Sequence, residues 1–184
     1  MPSVVSLYVY RMRIFEANAR TPLPFDDSRI AQRLPDFLSN FVAGYAKIKE
    51  DHERQRTWFF DQPKHAADGE ISGYIRYGTF GFESELFDTK TKKKQYDRKS
   101  TDFEQIELYY QFWCPEDEDF ALVAFQSFSG RSCIGYVTTA LQEEFRSKNK
   151  GLTLRIDKVS PQLVDKATFA NSDVKQVTLI KRSA

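Results

Sequence analysis

The chain has 184 residues, the length of one domain around one core, and 27 Lys and Arg against 26 Asp and Glu leave a net charge of +1. That balance excludes a whole-chain electrostatic attraction to nucleic acid or to an acidic membrane, so any such partner must be met by a local patch. With 16 Phe, 9 Tyr and 2 Trp, and 41% hydrophobic residues, the composition also excludes a disordered chain. No apolar run approaches the ~20 residues that span a bilayer. Arg11 and Arg13 interrupt the first apolar stretch, unlike a secretory leader. The reading is a cytoplasmic chain without a membrane partner. Cys114 and Cys133 are too few to staple a domain of this size and form no metal-ligand cluster, so reduced thiols and no bound metal are expected.

Residues 4–15 (VVSLYVYRMRIF) are β-branched and aromatic with apolar side chains at both parities, which predicts a strand covered on both faces. Asp26, Asp27 and Ser28 then offer N-cap chemistry ahead of Ile30, Leu34, Phe37, Leu38, Phe41, Tyr45 and Ile48, a helical spacing. Pro35 divides that stretch, so two pieces are expected to meet near Leu34, the longer running to about Asp51. Strands follow at 57–61, 72–87, 103–114 and 120–128, and the composition of residues 63–69 predicts a mobile connection. Within 72–87 the core face is assigned to Tyr74, Phe80, Phe82 and Leu86, on a strand bent at its glycines. Within 103–114 it falls to Ile106, Leu108, Tyr110 and Phe112, leaving Glu107, Tyr109, Gln111 and Trp113 opposite.

The run 120–128 (FALVAFQSF) reads as the most buried strand, and its short link to 103–114 predicts an antiparallel pair. Residues 129–148 carry Ile134, Val137, Leu141 and Phe145 at helical spacing, with Gly151 as the stop. Strands at 152–159 and 174–182, with a short helix at 162–169 between them, complete the order. The fold class is α+β: a mostly antiparallel sheet with a central meander and two main amphipathic helices packed on it. Residues 1–184 form a single α+β domain. The chain stops directly after a predicted strand, which is also what the N-terminal part of a longer protein would look like.

Three constellations bear on function. Lys90, Lys92, Lys93, Lys94, Arg98 and Lys99, opposed locally by Asp97, sit at the turn between two predicted strands. A flexible basic tip of this kind neutralises phosphates of RNA or DNA without reading bases, and a solvated hairpin tip has the same composition. Ser129, Arg131 and Ser132 lie between a strand and a helix N-terminus, where free N–H groups favour an anion, although the Lys and second Gly of a P-loop are missing. Glu116, Asp117, Glu118 and Asp119 cluster carboxylates that suit a hard cation, but as a contiguous run rather than at ligand spacing. His52 and His65 fall in polar stretches and show no pairing with either cysteine. Glu83 and Glu85 are the nearest carboxylates to an acidic nuclease core. No cofactor is expected.

The order of a strand, a helix, a long aromatic meander, then Gly130-Arg131-Ser132 opening an amphipathic helix with residues 152–159 behind it, resembles uncharacterised bacterial domains found near phage-defence or abortive-infection genes. The resemblance covers residues 73–159 and carries over no functional residue. Two readings stand on the sequence. One is a non-enzymatic binding or interaction domain of a phage-defence protein, contacting nucleic acid through the basic tip, or a protein partner or further domain. The other is a nuclease or nucleotide-processing toxin, which would need carboxylates and a lysine converging in a pocket.

Overall fold

The computed structural model describes residues 4–67, 69–115 and 118–159. It contains β1 (Val5–Glu16), α1 (Leu34–Gly44), β2 (Lys49–Asp51), β3 (Arg56–Phe60), β4 (His65–Ala67) and β5 (Glu70–Thr79). These are followed by β6 (Ser84–Phe87), β7 (Lys94–Arg98), β8 (Glu104–Trp113), β9 (Ala121–Phe128), α2 (Ile134–Lys148) and β10 (Leu152–Lys158). The main sheet runs β10-β1-β9-β8-β5-β3-β2 with β4 beside β5, its neighbours paired antiparallel, and β6 and β7 form a separate two-stranded sheet. The class is α+β. No helix among the described residues is long and apolar enough to cross a membrane.

Strand alternation sends Met12 and Ile14, Val123 and Phe125, Leu108, Tyr110 and Phe112, and Ile71, Ile75 and Tyr77 into one buried cluster. Phe37, Phe41 and Phe145 close that cluster from α1 and α2. Phe37 meets Phe145 edge-on at 5.5 Å between ring centroids, and Phe41 meets Phe60 at 5.8 Å, so both helices lie on the same face of the sheet. Among the described residues no helix covers the opposite face. There Tyr74 is registered with Tyr109, and Arg76 bridges Asp61, at 2.7 Å, and Glu107.

The predicted strands at 57–61, 103–114, 120–128 and 152–159 and the helix over 129–148 are found, the helix one turn shorter at its start. Residues 103–114 bury the assigned face. Several expectations are corrected. The first helix occupies only Leu34–Gly44, because Pro35 sits in its opening turn, where its missing N–H leaves no bond unmade. Asp27 caps no helix; its carboxylate accepts from the Arg29 backbone and guanidinium, which holds its pKa down to about 2. At the other end the ladder stops with Tyr45, Ile48 is exposed, and Lys49–Asp51 pairs with β3 instead of extending the helix.

The connection at 63–69 contains β4, paired with β5 through His65 and Ser72. The stretch 72–87 breaks into β5 and β6 at Gly81, whose φ of +90° is open to glycine at little cost. The buried face of β5 carries Ile71, Ile75 and Tyr77 rather than Tyr74 and Phe80, because the register sets Ile75 opposite Leu108 and Tyr74 opposite Tyr109. β1 is central, between β10 and β9, yet Val5 and Leu7 are exposed, so only its second half is covered on both faces. The predicted helix at 162–169 and strand at 174–182 lie outside the described residues.

Cys114 and Cys133 are free and buried, and burial pushes both thiols up to about 12. A thiol-specific reagent is expected to find two groups in the denatured, unreduced chain and almost none in the native protein at neutral pH. Two absent groups after denaturation would mean a bridge and a different arrangement of β8, β9 and α2.

Candidate functional site

The basic cluster falls on the β6–β7 hairpin, and the structure divides it. Asp88 builds the tip: its Oδ1 accepts from the backbone N–H of Lys90, at 3.0 Å, and of Thr91, at 2.6 Å, and its carbonyl accepts from Lys92 N. These bonds hold the Asp88 carboxyl below the usual carboxylate range. The tip is therefore an ordered turn, with Lys92 in the left-handed region at φ +57°. Lys94 is taken up by Glu85, at 3.2 Å, and Asp97, at 3.0 Å.

Arg98 departs from the exposed tip altogether. It is 9% exposed at the base of the hairpin, where Nη2 donates to the Thr79 carbonyl at 2.5 Å and Nη1 lies 3.6 Å from Glu104. Its guanidinium stacks on the Phe82 ring, 3.9 Å from the centroid. A phosphate contact by Arg98 would have to displace these partners. That leaves Lys90, Lys92, Lys93 and Lys99 exposed and without an ion-pair partner among the described residues.

The carboxylates of the hairpin are mostly engaged. Asp88 serves the turn, Glu85 and Asp97 share Lys94, and Asp102 accepts from the Tyr96 hydroxyl at 2.5 Å and from Lys99 N at 2.9 Å. Glu83 and Glu85, the nearest carboxylates to a nuclease core, are exposed on this hairpin, and Glu85 faces Lys94.

Sequence reasoning missed the apolar side of the hairpin. Phe82, Leu86 and Tyr96 are 45, 51 and 50% exposed, and Phe103 at the base is exposed as well, while Phe87, 53% exposed, lies opposite Lys94 on the other face. The core assignment of Phe82 and Leu86 is corrected, because among the described residues no second layer covers this two-stranded hairpin. The signal was present in Gly81 before a Phe-x-Ser-x-Leu alternation, followed by the Asp-Thr-Lys-Thr turn, which marks a new hairpin rather than a longer core strand.

The other candidates are placed as follows. Ser129 stands at φ +47° and its N–H donates to the Val4 carbonyl; the Arg131 guanidinium is paired with Glu104; the Ser132 hydroxyl accepts from Ile134 N at 3.2 Å. Each already has a partner within the chain, and Arg131 shares Glu104 with Arg98, which ties the strand-to-helix turn to the base of the hairpin. In the acidic loop, Glu116 and Asp117 lie outside the described residues, while Glu118 and Asp119 are exposed. Among the described residues no three His, Cys, Asp or Glu side chains gather as a metal site. His52 is exposed and 3.1 Å from Glu50. No family model, no curated protein and no solved structure matches the chain.

Proposed function

We propose that this chain is a non-enzymatic interaction domain whose β6–β7 hairpin contacts nucleic acid through Lys90, Lys92, Lys93 and Lys99. The observation that carries the reading is the grouping of Lys90, Lys92 and Lys93 around a turn that Asp88 keeps ordered, with Lys99 at the base of the same hairpin, all four exposed and free of ion pairs among the described residues. Lysines on an ordered turn neutralise phosphates at a small entropic cost and read no bases. With a net charge of only +1, the rest of the surface adds no general attraction. Binding is then weak, largely indifferent to sequence and steeply dependent on salt. Two free, buried thiols support a reducing compartment and hence a cytoplasmic protein. The resemblance to domains near phage-defence genes supports a setting within such a protein.

The test is a titration of labelled nucleic acid at low and moderate salt with the parent and with a Lys90→Glu, Lys92→Glu, Lys93→Glu variant. The triple change is expected to abolish binding and to leave the unfolding free energy within ~0.5 kcal/mol of the parent, because an exposed turn contributes little to stability. For the parent, neutralising up to four phosphates of a single strand gives a slope of log K on log salt of about −3. Equal affinity of parent and variant would remove the lysines from the reading. A parent that binds nothing at low salt would leave a protein partner as the occupant of the hairpin.

A further inference from the structure

Resting on that reading, we infer that the hairpin takes single-stranded rather than duplex nucleic acid, with bases stacking on Phe82 and Tyr96 while the tip lysines hold the phosphates. Cross-strand pairs set the geometry: Ser84 lies opposite Arg98 and Leu86 opposite Tyr96, so these four share a face. The Arg98 guanidinium on the Phe82 ring adds Phe82 to the same face. The other face carries Glu85 and Asp97 bridged by Lys94. The hairpin thus leaves Phe82, Leu86 and Tyr96 open to solvent on one face, while the other holds the self-neutralised Glu85, Lys94 and Asp97 beside Phe87.

Folding does not account for that apolar side. Its rings and Leu86 are about half exposed, among the described residues no second layer covers them, and a contiguous exposed apolar patch marks a binding site more often than a packing site. Both rings are also fixed in place. The Tyr96 hydroxyl is tied to Asp102, which a backbone N–H from Lys99 holds in turn. Phe82 rests on a guanidinium that Thr79 and Glu104 immobilise. Pre-positioned aromatic faces lose little freedom on binding.

The chemistry of the occupant follows from the neighbours. Four unpaired lysines at the two ends of the hairpin, Lys90, Lys92 and Lys93 at the turn and Lys99 at the base, select a polyanion, and flat rings on the same hairpin select a polyanion with exposed flat groups. A duplex keeps its base faces stacked inside and offers only phosphates, whereas a single strand offers both. Stacking is tolerant of base identity, in keeping with weak sequence dependence.

The experiment follows fluorescence anisotropy of a labelled oligouridylate and of a labelled RNA duplex across a salt series. The proteins are the parent, a Phe82→Ala, Tyr96→Ala variant, a ring-keeping Phe82→Tyr, Tyr96→Phe variant and the lysine variant above. The parent is expected to prefer the single strand about tenfold or more at equal salt. The alanine pair should weaken single-strand binding by about tenfold or more at every salt concentration with the salt slope unchanged, since no phosphate contact is lost, and the ring-keeping pair should stay within about threefold of the parent. The lysine variant should instead lose detectable binding of both probes. Equal affinity of the parent for single strand and duplex overturns the inference and leaves the lysine reading in place, as does an alanine pair that is folded by circular dichroism and binds like the parent. The parent's own preference needs no variant to fold. A parent that binds neither probe ends both.

Discussion

Phe125→Ala is expected to lower stability by ~3–5 kcal/mol, the range for deleting an aromatic ring from a packed core. Phe125 is fully buried in β9, opposite Tyr8 of β1 on one side and Tyr110 of β8 on the other, so its ring sits at the middle of the sheet. It packs edge-on to Phe112, at 6.1 Å between centroids, and to Tyr10, at 6.3 Å. Neighbours held by two strand pairings cannot move in to fill the space, which places the cost at the upper part of that range. With a urea dependence of about 2 kcal/mol per molar, the unfolding midpoint should fall by roughly 2 M. Phe87→Ala, on the exposed hairpin, is the matched control and should change stability by less than ~0.5 kcal/mol. A midpoint for Phe125→Ala indistinguishable from that control would mean that β9 is not at the centre of the core.

The same contrast explains what the sequence disclosed and what it did not. β8 was legible because its two parities differ: Leu108, Tyr110 and Phe112 on one, Glu107 and Gln111 on the other. β5 was not, since Tyr74, Ile75, Tyr77 and Phe80 put apolar side chains on both parities and periodicity alone cannot choose. The choice is made across the sheet, where Gly73 faces the Tyr110 ring so closely that a Cβ there would lie 3.3 Å from it. Ile48 misled in a similar way. It continues the helical spacing of α1, but pairing of Lys49–Asp51 with β3 draws the chain out of the helix just before it. At the candidate site the lysines were legible as a charge run, while the burial of Arg98 was not, because it is fixed by a carbonyl 19 residues earlier in the chain. The apolar face of the hairpin was hidden by a general rule: Phe and Leu alternating on a strand ordinarily mean core. Among the described residues no second layer lies over β6 and β7, which reverses that meaning.

Stability is also expected to fall steeply on the alkaline side, and the two thiols are the reason. In an unfolded chain a cysteine gives up its proton near pH ~8.5, whereas burial holds Cys114 and Cys133 neutral to about 12. Between those values the unfolded chain binds fewer protons than the native protein, so stability decreases as pH rises. Each thiol contributes a slope of about 1.4 kcal/mol per pH unit, and the pair close to ~3, from about pH 9 towards 12. Below pH ~8 both states are protonated and the contribution is flat. Buried tyrosines shift in the same direction, Tyr110 and Tyr77 among them, so the parent alone does not isolate the thiols. A Cys114→Ala, Cys133→Ala variant does. Urea midpoints at about pH 7.5, 9 and 10 should fall with pH in both proteins, but more steeply in the parent, and the two curves should converge or cross as the pH rises. The variant begins lower, by the ~1 kcal/mol or so per site of a small buried deletion, and loses less per pH unit thereafter. Parallel curves would mean that the thiols ionise as readily in the native protein as in the unfolded chain, and would overturn their burial.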